Sequence, residues 1–374
     1  MTDCIVVGGG LIGMLTARFL HDAGLEVTVL ERGETGREAS WAGGGILSPL
    51  YPWRYPDPVT VLARHTQEAF PAFAAELHAE TGVDPEWTRS GMLVLGAGEE
   101  AVARDWAERF AAGLEILDGT GAHACEPALG PATGAGLWLP SIAQVRNPRL
   151  VRALRGSLVR RGIAIREHSP VEALCMDRRG ITGVRTPNGE IHARRVLIAS
   201  GAWSAGLMPE GGPALPVVPV RGQMILFRGA PGLMQRIVLS GARYLIPRRD
   251  GRILVGSTLE YVGFCKETTG DARSELLAAA ATLVPALAEA PVEHHWSGLR
   301  PGSPTGVPYI GEHPGCPGLF VNAGHFRNGV VLSLASCRLA ADLVAGVGPT
   351  FDTAPYRLDR AADTPEGGNA ASVI

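Results

Sequence analysis

Two rhythms of apolar and polar positions run along the chain. In the first, short unbroken apolar runs alternate with stripes of helical period: Cys4-Ile5-Val6-Val7, then Leu11, Leu15, Phe19 and Leu20 on one helical face closed by Ala23-Gly24, then Val27-Thr28-Val29-Leu30. An unbroken apolar run reads as a strand buried on both faces of a parallel sheet, and the stripe between two such runs as a crossover helix. The pattern returns where Asn147-Pro148 caps and opens a helix with Leu150, Val151, Leu154 and Leu158 on one face, before the strand Ile163-Ala164-Ile165-Arg166. It returns twice more, at Val196-Leu197-Ile198-Ala199 and at Leu319-Phe320-Val321-Asn322, the latter leading into a helix over 330–344.

The second rhythm begins near Pro216. Segments 217–227, 236–240, 244–247 and 252–256 read as antiparallel strands, with Asp250-Gly251 turning the last pair. Strands 171–175 and 181–186 form a further antiparallel pair, and Asn188-Gly189 is a type I′ hairpin signal. Strands over 91–96 and 292–297 and helices over 59–77, 101–112 and 274–287 complete the pattern. It predicts an α/β fold (α+β overall): an open parallel sheet with helices, interrupted by a mainly antiparallel unit, with the chain returning to the first sheet near residue 319.

Composition narrows the class. A chain of 374 residues, 46% hydrophobic and 19% charged, has ample material for one large or two modest domains. A net charge of −3 without a basic block gives no nucleic-acid footprint. Six cysteines at 4, 125, 175, 265, 316 and 337 show no Cys-x-x-Cys pair, so reduced, mostly buried thiols are expected. The start lacks a basic signal-peptide region, and the most apolar helical segment, 330–347, carries Arg338 and Asp342. The expectation is a soluble, cytoplasmic protein outside the membrane.

Gly8, Gly10 and Gly13 change the picture, because Gly-x-Gly-x-x-Gly between a buried strand and a helix holds a pyrophosphate. The helix N-terminus aims unpaired N–H groups and a positive dipole end at the anion. Glu31 closes the next strand, where a carboxylate accepts a ribose hydroxyl and repels a 2′-phosphate, disfavouring NADP. A second run of small residues at 36–47, with Gly43, Gly44 and Gly45, suits a flavin dinucleotide, whose long arm needs a second close approach of backbone. Gly201 and the turn Gly324-His325-Phe326-Arg327-Asn328-Gly329 are further approaches to the cofactor. The stiff loop 51–58 is either a pocket cover or an ordered surface crossing. His294-His295 point to opposite faces of a strand, so no metal is expected.

The N-terminal fingerprint, Gly298-Leu299-Arg300-Pro301-Gly302-Ser303-Pro304 with Pro308-Tyr309-Ile310-Gly311, and Ala323 to Gly329 together resemble the D-amino-acid-oxidase family of FAD-dependent oxidoreductases. The resemblance covers almost the whole chain, with the middle hairpins matching loosely. It implies a Rossmann-like FAD-binding domain from 1–82, 142–213 and 300–362, and an antiparallel substrate domain from 83–141 and 214–299, with 363–374 a disordered tail. Gly8, Gly10, Leu11, Ile12 and Gly13 would hold the pyrophosphate, Glu31 and Arg32 the adenosine, and Val171 the adenine by its backbone. Ala39, Ser40, Gly44, Gly45 and Ile46 would line the ribityl chain and flavin, and His325, Phe326, Arg327, Asn328, Gly329, Val330 and Val331 would place a helix N-terminus near the flavin pyrimidine. The family's cysteine-linked members carry their cysteine in the stretch corresponding to 298–303, which has none here, so FAD is expected to be non-covalent.

On the substrate side the resemblance carries over Tyr244, Arg300 and Arg327. An amino-acid carboxylate wants a planar two-donor partner, which Arg supplies. Arg300, in a run read as turn-like, takes the bidentate contact, with Tyr244 adding an O–H donor and Arg327 positive charge. The alternatives are a surface ion pair for Arg300, core packing for Tyr244 and a structural or flavin contact for Arg327. Ala242 stands where relatives can carry a polar side chain near the pocket. The implied activity is oxidation of glycine, and of small amines such as sarcosine and small D-amino acids, to the imine, with O2 reduced to H2O2, in thiamin thiazole synthesis. A homo-oligomer, tetramer or dimer, is implied as well. The rivals are a D-amino-acid dehydrogenase that passes electrons to a quinone and a flavoprotein subunit of a larger complex.

Overall fold

The apolar run Cys4–Val7 is buried along its whole length and forms the centre of a six-stranded sheet. The structure, a computed structural model, describes residues 2–96 and 98–360; the tail expected at 363–374 lies outside the described residues. Arg195–Ile198 pairs parallel on one side of the first strand and Val27–Leu30 on the other. Leu319–Ala323 and Ala164–Arg166 extend the sheet in parallel at its two ends, and Tyr309–Glu312 adds an antiparallel edge. Leu11–Asp22 is the crossover helix, and its Met14, Leu15, Ala17 and Leu20 are buried with Asn147–Arg160 and Ser333–Ala345 against one face of the sheet.

The second rhythm folds into an eight-stranded sheet whose spatial order runs from Val292–Gly302 through Val218–Arg228, Arg252–Gly256, Arg243–Pro247 and Ile237–Ser240 to Met92–Leu95, Gly136–Leu139 and Glu115–Leu117. One pairing in it is parallel: Ile237–Ser240 runs alongside Met92–Leu95. The strand expected over 292–297 continues to Gly302, so Arg300 stands on a strand and the turn expected there is absent. Pro301 is tolerated because this is an edge strand with one unpaired side. A small third sheet pairs Ala173–Asp177, Gly180–Thr186 and Gly189–His192.

One further expectation is corrected, and the alternatives left open for 51–58 are narrowed. The last helix begins at Ser333, and 325–332 is a run of turns closed by Asn328 N–H to His325 O and Leu332 N–H to Asn328 O. The loop 51–58 is an ordered crossing: Tyr51, Trp53 and Tyr55 are buried, the Tyr51 hydroxyl donates to Gly241 O at 2.8 Å, and Arg54 pairs with Glu99 at 2.9 Å. The six cysteines are free, with Cys4, Cys316 and Cys337 buried and Cys265 exposed. Among the described residues no helix is long and apolar enough to cross a membrane, and no three His, Cys, Asp or Glu side chains gather as a metal site.

Candidate active site

The glycine turn is set by what surrounds it. Gly8 has φ +115°, and a Cβ there would stand 2.5 Å from the Ala199 carbonyl oxygen; one on Gly13 would stand 1.9 Å from that of Gly8. Gly8 lets the turn close against Ala199 and Gly13 packs helix against strand, while Gly8, Gly10, Leu11 and Ile12 open onto a cavity at the first helical turn, where N–H groups lack partners within the helix. The Leu11 N–H donates to Ser40 Oγ at 2.8 Å. Glu31 is buried, and its two oxygens accept the N–H groups of Gly9 at 2.7 Å and Gly33 at 2.9 Å. The carboxylate therefore braces the turn, and each oxygen keeps a lone pair for a ribose hydroxyl.

The cavity measures about 510 Å³ and runs from Glu31, Arg32 and Val171 past Ser40 to Tyr244, Arg300 and Arg327. All the residues expected at cofactor and substrate line it except Gly13, Asn328 and Val331. The last two are buried in the turn and core beneath. Ala242 is exposed and does not line the cavity, which corrects its expected place near the pocket.

The second small-residue run is pressed between the two sheets. A Cβ on Gly45 would stand 2.1 Å from Val145 O, and one on Gly44 would meet Ile246 at 2.8 Å and the Tyr244 ring at 3.3 Å. From behind, Arg248 donates to Gly44 O at 2.7 Å, to Gln144 Oε1 at 2.7 Å and to Val145 O at 2.9 Å. Trp296 donates its ring N–H to Ala42 O at 3.1 Å.

At the far end Arg300 lies over Gly222, where a Cβ would be 2.2 Å from the guanidinium. Its acceptors are neutral: Ser257 Oγ at 2.6 Å, Thr258 O at 3.2 Å and Arg221 O at 3.4 Å. Burial, and then the neighbouring charge of Arg327, pull its pKa down to about 10, so it is still a cation at neutral pH. Neither Arg300 nor Arg327 has a carboxylate partner among the described residues. Phe326 brings the two together: its N–H donates to Pro301 O at 2.9 Å, and its φ of 47° aims the turn back towards the strand. Tyr244 is buried, with its hydroxyl 3.9 Å from Met224 Sδ, a weak partner that leaves the O–H free to donate elsewhere. His325 is no cation: burial holds its pKa down to about 3, and its Nε2 contacts Ser336 Oγ at 3.0 Å.

A helix N-terminus at an anion site, glycines that no side chain can replace, and free lone pairs on Glu31 fit an elongated dinucleotide. The sequence pattern of the family described as FAD dependent oxidoreductase (DAO) matches residues 3–343. The chain belongs to this family of FAD-dependent oxidoreductases. A glycine oxidase of Pseudomonas aeruginosa is 50% identical over 353 residues, covering 94% of this chain and 97% of the relative. The crystal structure of glycine oxidase from Geobacillus kaustophilus superposes with a TM-score of 0.90 at 33% identity, covering 96% of this chain and 99% of that one. A bifunctional protein ThiO/ThiG of Synechocystis is 33% identical, covering 92% of this chain and 51% of the relative. The chain is accordingly an enzyme whose cofactor is FAD.

Sequence reasoning missed Gly222 and Arg248. A lone glycine inside a strand pattern signals close approach of another group, and that signal stood at Gly222. Nothing local marks Arg248, because its three acceptors come from residues far from it in sequence.

Proposed function

We propose that this FAD-dependent oxidoreductase oxidises glycine, and with it small amines such as sarcosine and small D-amino acids: glycine, water and O2 give glyoxylate, ammonia and H2O2. The observation that carries the proposal is the Arg300 guanidinium, which faces the cavity with only neutral acceptors and beside a second unpaired cation. A small carboxylate is the partner such a site lacks, and a charge-assisted bond of this kind contributes about 1.5–3 kcal/mol.

FAD bound among these residues would supply the two-electron acceptor and the route to O2. Arg300 holds the substrate carboxylate, and the Tyr244 hydroxyl donates to it from the neighbouring strand. Arg327 adds positive potential across the cavity. Leu50, Met224 and the Tyr244 ring give apolar walls that exclude water and favour a neutral amine, whose lone pair assists loss of hydride from Cα. Positioning is then the main contribution of the protein, and no general base is needed.

The proposal includes non-covalent FAD, supported by a cavity lining without cysteine among the described residues. It also includes the discontinuous division, with 1–82, 142–213 and 300–362 around the six-stranded sheet and 83–141 and 214–299 around the eight-stranded one. Likeness to ThiO/ThiG supports a place in thiamin thiazole synthesis, and six free thiols suit a reducing, cytoplasmic setting. A homo-oligomer, tetramer or dimer, belongs to the same proposal and is measured by light scattering.

The test is anaerobic addition of glycine to the yellow protein, followed by air. Bleaching and then peroxide are expected. No bleaching overturns the substrate, and bleaching without peroxide moves the assignment to a dehydrogenase. In Arg300→Ala, glycine oxidation should lose about tenfold to a hundredfold in kcat/KM, with FAD still bound; unchanged kinetics would overturn the carboxylate site.

A further inference from the structure

Residues 261–269 follow the Arg252–Gly256 strand of the antiparallel sheet and are exposed throughout, yet both ends of the segment are tied down and its tip packs on residues that line the cavity. The anchor is Arg221, a buried residue of the Val218–Arg228 strand. Its backbone exchanges hydrogen bonds with Glu260 at 2.9 and 3.0 Å. Its guanidinium pairs with the Glu260 carboxylate and donates to Glu267 O at 2.7 Å, so one side chain clamps the segment where it leaves the sheet and where it comes back.

At the tip, Phe264 stacks on Trp203 with ring centroids 5.4 Å apart and planes 24° apart. Arg32 lies over the Trp203 ring at 3.5 Å. Beside this stack Lys266 Nζ is 3.1 Å from Glu38 Oε1, which also accepts from Arg32 at 2.8 Å. Trp203, Arg32 and Glu38 all line the cavity, at the end marked by Glu31 and Val171. Phe264 is still 53% exposed, so its packing on Trp203 adds little to the core. What the stack does cover is the rim of the cavity.

We propose that residues 261–269 are a clasp across the adenosine end of the cavity, and that Phe264 and Lys266, reaching over from the antiparallel sheet, retain the bound dinucleotide. The inference rests on the proposal that this cavity holds FAD in the order read above, with adenosine near Glu31. The aromatic stack shields the end of the cavity from water, and the Lys266–Glu38–Arg32 chain keeps two cations where a diphosphate dinucleotide lies. The ion pairs are exposed and screened by salt, so retention weakens as ionic strength rises.

The test is the rate of FAD release, read as flavin fluorescence recovering after dilution of the holoenzyme. The double variant Phe264→Ala/Lys266→Ala should release FAD about tenfold faster, with the thermal midpoint of the apoprotein unmoved. Phe264→Tyr and Lys266→Arg should each restore slow release, and added salt should speed release from the parent more than from Lys266→Ala. Unchanged release in the double variant overturns the clasp, as does fast release accompanied by an equal loss of apoprotein stability. A parent protein that takes up no FAD overturns the functional reading and the clasp with it. A parent that holds FAD while every variant releases it at the parent rate overturns the clasp alone.

Discussion

Arg300 occupies the space that a side chain at position 222 would need, so the proposed substrate site depends on a residue with no functional group of its own. Gly222→Ala should push the guanidinium off Ser257 and Thr258 and raise KM for glycine about tenfold or more, while the flavin spectrum stays that of the parent. Steady-state kinetics beside an absorption spectrum check both halves. The arginine itself was legible as a candidate through the family resemblance of the run from Gly298 to Pro304, and a planar donor suits the carboxylate that the resemblance implies. Its setting was not, because the neutral acceptors around it come from Arg221, Ser257 and Thr258, which only the sheet register brings to it. Glu31 was legible in the same partial way: the fingerprint spacing located the carboxylate, but its bonds to Gly9 and Gly33 belong to a folded turn.

Among the elements, the parallel sheet could be read from sequence because strands buried on both faces leave unbroken apolar runs. The parallel pairing of Ile237–Ser240 with Met92–Leu95 left no such trace, since pairing partners are chosen by tertiary packing and not by the pattern of either strand. The late start of the final helix has a local cause. Phe326 sits in the left-handed region, which an α-helix does not pass through, and the bonds from Asn328 N–H to His325 O and from Ser333 N–H to Val330 O span three residues where a helix spans four. Arg248 sets the position of the loop at Gly44 relative to the strand carrying Tyr244, by holding Gly44 O, Val145 O and Gln144 together. Arg248→Met leaves those buried oxygens without donors and should cost about 1–3 kcal/mol per stranded group. Urea denaturation measures that loss, and Arg248→Lys should lose less because an ammonium still serves one or two of them.

For the molecule as a whole, acid is the condition that unties distant segments. Hydrogen bonds from Thr35, then the charge of Arg155, hold the Glu167 pKa down to about 2 from 4.5, and bonds from Arg252 and Arg228 lower that of Glu293. A carboxylate whose folded pKa lies below its unfolded one stabilises fully above the unfolded value and loses that contribution as pH falls through the folded one. The urea midpoint should therefore hold from neutrality to about pH 5 on account of these groups and decline below that. Glu167→Gln should lower the midpoint at neutral pH and make the decline shallower, which a pH series of urea titrations would show. The cavity has a further consequence at this scale. Its wall is drawn from Val7 near one end of the chain to Val330 near the other, and from both large sheets. Non-covalent FAD seated there, as proposed, would act as a reversible cross-link between segments that share no covalent neighbour, and at a hundred times its dissociation constant it would add about 2.7 kcal/mol to the folded state. The supply of free FAD should then set how much of this protein resists proteolysis as well as how much of it is active.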